Sequence, residues 1–137
     1  MSRDAQVYVA TIRDVLADQP QPDAEVLPVV FIVGVGETKI PADVQAEVVG
    51  ELGDDADIKF ADKRSEAVLE DEEHAPVRDG GVLIAVGELP PDVDPVNMDV
   101  EIYRSDQDSS RVVLTIAARG SSQWTVTSSS VLPADGT

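Results

Sequence analysis

The sequence has no cysteine, one histidine, one tryptophan, two tyrosines and two phenylalanines. Without cysteine there is no disulfide framework, zinc–thiolate centre, iron–sulfur cluster or thiol nucleophile. A single imidazole, His74, excludes a metal triad built on histidines. Positive charge is scarce too: ten Lys and Arg stand against 27 Asp and Glu, a formal net charge of −17. Nucleic acids and anionic membranes are bound by neutralising phosphates with Lys and Arg, so this balance argues against both as partners. Long apolar runs are also missing. The longest, Val26 to Val35, is too short to span a bilayer and is interrupted by Pro28 and Gly34. Met1-Ser2-Arg3-Asp4 is not followed by the apolar stretch of a signal peptide. The chain as written therefore reads as cytoplasmic, without membrane insertion; a leader removed ahead of it would make it extracytoplasmic.

What is present suits one domain spanning residues 1–137. Val, Ala, Leu and Ile supply most of the apolar content, a composition that favours a sheet covered by helices over a ring-walled ligand cage. Ala5, Tyr8, Val9, Ile12, Val15 and Leu16 fall on one helical face, predicting a helix over about Arg3 to Ala17 with Ser2 as its cap. Val29 to Val33 reads as an inner strand. Pro41 to Leu52 reads as a second helix through Val44, Val48 and Leu52. A short strand follows at 57–61. From Gly81 the period changes to two, predicting strands at 82–88, 97–104, 111–119 and 123–128 joined as an antiparallel meander. The expected fold is α+β, with two helices on one face of a mainly antiparallel sheet that ends in a four-strand meander. Its expected core is Tyr8, Ile12, Leu16, Val30, Ile32, Val44, Val48, Leu52, Phe60, Leu83, Val100, Ile102, Leu114, Ile116 and Trp124. Residues 62–80 read as a solvated acidic loop, open to proteases, and residues from about 131 to 137 as a frayed tail.

This order of elements, closing on Trp124-Thr125-Val126, resembles a diffuse group of uncharacterised small bacterial α+β domains, many of them attached to lipoproteins. The similar stretches are Leu27 to Val33, Pro41 to Val49, Gly80 to Gly87 and Gly120 to Val126. The last meander is also similar to the sheet of nuclear-transport-factor-2-like domains, although the single first helix departs from that family's helical start. The resemblance implies a bacterial origin and no activity or functional residue. The lipoprotein members' anchoring cysteine has no counterpart here.

Chemical motifs are sparse. Gly34-Val35-Gly36 follows a strand, but Lys39 stands where a dinucleotide fingerprint needs its third glycine. Asp92, Asp94, Asn97, Asp99 and Glu101 offer hard oxygens, yet Val96 and Asn97 break the calcium-loop pattern. His74 lies among acids just ahead of Pro76, and the serine clusters at 109–110 and 128–130 lack a nucleophile-elbow context. No catalytic, cofactor-binding or metal residue is assigned, and no cofactor is expected. The expectation is a non-catalytic binding or interaction domain. Its rivals are an acidic inhibitor or immunity protein covering a basic surface, and a small cone-shaped α+β enzyme with a pocket. Any macromolecular partner is expected to be a basic protein, met by Glu70, Asp71, Glu72, Glu73, Asp92, Asp94, Asp99 and Glu101.

Overall fold

The computed structural model describes residues 3–17, 29–35, 40–54, 56–87, 95–119 and 123–132. In chain order they form α1 (Arg3–Ala17), β1 (Val29–Gly34), α2 (Ala42–Leu52), β2 (Asp57–Phe60), β3 (Val82–Val86), β4 (Val96–Ser105), β5 (Asp108–Arg119) and β6 (Gln123–Leu132). The six strands make one sheet in the order β2-β1-β3-β4-β5-β6. β1 is parallel to both β2 and β3, and the remaining three pairings are antiparallel. The α+β class and the closing meander are as the periodicities predict.

Both helices cover one face, here called the front. There Val30, Ile32, Ile58, Val82, Ile84, Val86, Val96, Met98, Val100, Leu114 and Ile116 pack against Ala5, Val7, Tyr8, Ile12 and Val15 of α1 and Val44, Val48 and Leu52 of α2. α1 touches α2, β5 and β6, so it is enclosed on several sides, and Val7 and Thr11 are buried beside the expected stripe. The buried Thr11 hydroxyl donates to the Val7 carbonyl at 2.8 Å, one turn back, which spares the core an unsatisfied donor. Leu16, Phe60, Ile102 and Trp124, expected in the core, are only partly buried at its margin. Trp124 packs beneath α1, with the Arg3 guanidinium 5.4 Å from its ring centre. Ser2, the expected cap, lies outside the described residues. α2 starts at Ala42, directly after Pro41, whose carbonyl accepts the first helical bond from Gln45 N–H at 2.9 Å. Gly50 sits in this helix with open space where a Cβ would lie. Gly50→Ala is therefore expected to raise stability by about 1 kcal/mol, measured as a higher urea midpoint at unchanged slope.

The back of the sheet departs from the expectation. Residues 62–80 are not a solvated loop but a strap lying across it. Ala67, Val68 and Val77 are buried against Phe31, Val33, Leu83, Ala85 and Tyr103 in a second core. Two single-turn 3-10 helices, Arg64–Glu66 and Arg78–Gly80, end the strap, and Val68 and Val77 pair across it. Chain handedness explains the side it takes. α2 carries the chain from β1 to β2 in one direction across the sheet, while the strap carries it from β2 back past β1 to β3. Parallel crossovers keep one hand, so two that run in opposite directions must lie on opposite faces. β1 and β3 are thus covered on both sides, as their unbroken apolar runs require. β6 extends to Leu132, paired with Arg111, so the tail predicted from about 131 begins inside a strand.

Candidate functional site

On the back face the strap covers β1, β3 and the Tyr103 end of β4. Over the rest of β4, β5 and β6 the back-facing residues Asn97, Asp99 and Ser128 are exposed, and Glu101, Val113 and Thr115 are half-buried. Between the two parts runs a shallow open cleft of about 400 Å³ lined by Val35, Gly87, Asp99, Val100, Glu101 and Arg111. Glu101 sits opposite Arg111 in the β4–β5 register. On its other side Glu101 accepts a hydrogen bond from Arg64 Nη1, whose guanidinium lies 4.3 Å from the centre of the Tyr103 ring. Two of the predicted contact residues therefore sit in a cleft whose charge is balanced by arginine. Glu101 fastens the foot of the strap to β4, a half-exposed ion pair worth about 0.5–1 kcal/mol.

The tip of the strap is held just as definitely. Tyr103 donates its hydroxyl hydrogen to the Ala75 carbonyl at 2.8 Å. The Val77 amide reaches the Arg104 carbonyl at 3.1 Å, and the Asp106 amide reaches the His74 carbonyl at 2.8 Å. His74 Nδ1 lies 3.2 Å from Asp106 Oδ1, and its Nε2 3.6 Å from Glu73 Oε1. To turn here the chain places His74 and Ala75 at φ 65 and 43, a left-handed conformation that costs non-glycine residues on the order of 1–3 kcal/mol each. Fixed tertiary bonds hold that strain. They bring Glu70, Asp71, Glu72 and Glu73, all exposed, beside the β4–β5 turn with its Asp106 and Asp108, also exposed. The outcome is an acidic ridge at one end of the molecule.

The predicted contact residues are thus divided. Glu70 to Glu73 form the ridge, whereas Asp99 lies six positions before the end of β4, roughly 20 Å away along the strand. Asp92 and Asp94 lie outside the described residues. Asp106 and Asp108 join the ridge although the sequence reading left them out. Glu66, an acid of the same stretch, caps the first 3-10 turn of the strap, its carboxylate accepting the Asp62 and Lys63 amides at 3.1 and 2.8 Å. Acid is not confined to this end: Asp43, Glu51 and Asp54 are exposed on the front, around α2.

Among the described residues no group of three or more His, Cys, Asp or Glu side chains is placed to hold a metal ion. No helix among them is long and apolar enough to cross a membrane. Comparison with known proteins finds no matching family model, no matching curated protein and no matching solved structure.

Proposed function

We propose that this chain is a non-catalytic interaction domain that receives a basic protein surface on its acidic ridge. The observation that carries the reading is the stitching of the strap tip to the β4–β5 turn. Those bonds hold Glu70 to Glu73, Asp106 and Asp108 in one fixed array instead of on a wandering loop. Preorganised charge loses less conformational entropy on binding, so it favours a cationic ligand more than the same charge on a mobile segment. The shallow, charge-balanced cleft described above is a poor container for a small molecule. Acids on the front as well as the ridge weigh against a phosphate-mimicking inhibitor, which needs its acids gathered on one face.

A comparison at equal net charge tests the proposal. An oligo-arginine peptide is titrated into the native chain, into Glu70→Gln/Glu72→Gln/Glu73→Gln and into Asp43→Asn/Glu51→Gln/Asp54→Asn. The ridge variant is expected to bind roughly tenfold more weakly than the front variant, the sum of three exposed charge pairs. Equal losses in the two variants would mean that only net charge matters, and the ridge would have no special role.

A further inference from the structure

β6 is the outer strand of the sheet, paired among the described residues with β5 alone. Its ten residues, Gln123–Leu132, expose a row of backbone donors and acceptors about 30 Å long. Sheets normally guard such an edge with charge, proline or brevity. The opposite edge, β2, is guarded in this way: it has four residues and carries Asp57 and Lys59. β6 has no charge, no proline and no glycine. It also lies within residues 120–134, the longest uncharged run in a chain of net charge −17.

One irregularity interrupts the edge. The register with β5 shifts between Thr115 and Ile116, opposite Thr127, whose hydroxyl donates to the Thr115 carbonyl at 3.2 Å. Beyond it, residues 128–131 continue unbroken and exposed. Among the described residues no helix covers their front side, for α1 packs at the Trp124 and Val126 end. Val131 pairs with Val112 there and is 75% exposed, the most exposed large apolar side chain described.

We infer that residues 128–131 of β6 form an antiparallel, two-fold symmetric pairing with the same strand of a second copy, extending one sheet through both. Charge selects this occupant. Two bodies of −17 repel each other over most of their surfaces, so self-association needs an uncharged contact, and β6 is the long uncharged edge available. An acidic or basic peptide strand would set its charges against serines and valine that offer no counter-charge. The two-fold pairing instead sets the serines against serines, whose hydroxyls can hydrogen-bond across the strands, and covers both copies of Val131. This inference stands apart from the ridge and has the opposite salt dependence. Screening weakens attraction between the ridge and a cation, but it relieves repulsion between two like-charged copies.

Sedimentation equilibrium of the whole chain tests it, from about 10 μM to about 1 mM protein, in low salt and in about 0.5 M sodium chloride. A monomer–dimer equilibrium is expected, with dimerisation tightening in the higher salt. The double variant Ser129→Lys/Val131→Lys should weaken dimerisation at least tenfold, even though it lowers the net negative charge and so the general repulsion. Both side chains are exposed, so circular dichroism should be unchanged and confirms folding. Glu70→Gln/Glu72→Gln/Glu73→Gln should dimerise at least as tightly as the native chain. A monomer at every concentration and salt would overturn the inference. So would a dimer indifferent to the lysine pair, or one that loosens as salt rises.

Discussion

Val77→Asp is expected to lower the free energy of unfolding by about 3–5 kcal/mol, because it would bury a carboxylate with no cationic partner. Val77 is 3% exposed and belongs to the second core with Phe31, Val33, Leu83, Ala85 and Tyr103. Its neighbours there are aliphatic groups, one phenylalanine and one tyrosine whose hydroxyl is already engaged with the Ala75 carbonyl. Against a domain stability of about 5–15 kcal/mol, such a loss leaves little margin. The milder Val77→Ala removes two buried methyl groups and should cost about 1.5–2 kcal/mol. Urea denaturation of the two variants beside the native chain measures both. Changes within about 0.5 kcal/mol are what a solvated loop would show, and they would remove the strap from the account.

Gly81→Ala is the second large effect, expected at about 2–3 kcal/mol. Gly81 has φ −83, so its backbone is open to any residue; the demand is for space. A Cβ there would lie 2.5 Å from the Val29 carbonyl oxygen and 3.1 Å from the Val29 Cβ. The obstacle is the backbone of β1, which cannot swing aside like a surface side chain. Relief requires β1 and β3 to part where they begin their parallel pairing, and both strands sit in the two cores. Gly50→Ala, at a glycine with nothing near its missing Cβ, should move stability the other way. A Gly81→Ala midpoint within error of the native chain would show that the strap enters β3 with more clearance than described.

Most of the architecture was legible in local patterns. The helical spacing from Ala5 to Leu16 foretold α1, and the unbroken apolar run at Val29 to Val33 foretold an inner strand, whereas the cover on the back of β3 was not foretold. The alternation Met98, Val100, Ile102 against Asp99, Glu101 described β4, with Met98 and Val100 buried on the front and Ile102 partly buried at its margin. The strap escaped because its buried residues are few and small. Ala67, Val68 and Val77 stand alone among charged neighbours, and they become core only when Val68 and Val77 pair and fold onto Phe31 and Leu83. The pair itself spans ten residues, but no window of a dozen reaches from it to Phe31. The ridge was half legible: Glu70 to Glu73 announce themselves by density, but Asp106 arrives from 32 positions beyond His74. That Glu70 and Asp99 stand well apart was hidden for a related reason. Distance along the chain said nothing of the strap tip meeting the far end of β4, while Glu101 near its middle is occupied by Arg64.

Amide hydrogen exchange, resolved residue by residue on the native chain, tests most directly whether the strap is a fixed element presenting a fixed ridge. Four amides report on it: Leu69 bonded to Pro76, Arg78 to Ala67, Val77 to Arg104 and Asp106 to His74, at 2.8, 2.8, 3.1 and 2.8 Å. If the strap is packed as described, these four exchange with protection approaching that of β3 and β4, because opening them requires the second core to open. If all four exchange as fast as unprotected amides while β3 and β4 stay protected, the strap is loose in solution, the acids form no fixed ridge, and the proposed function loses its foundation.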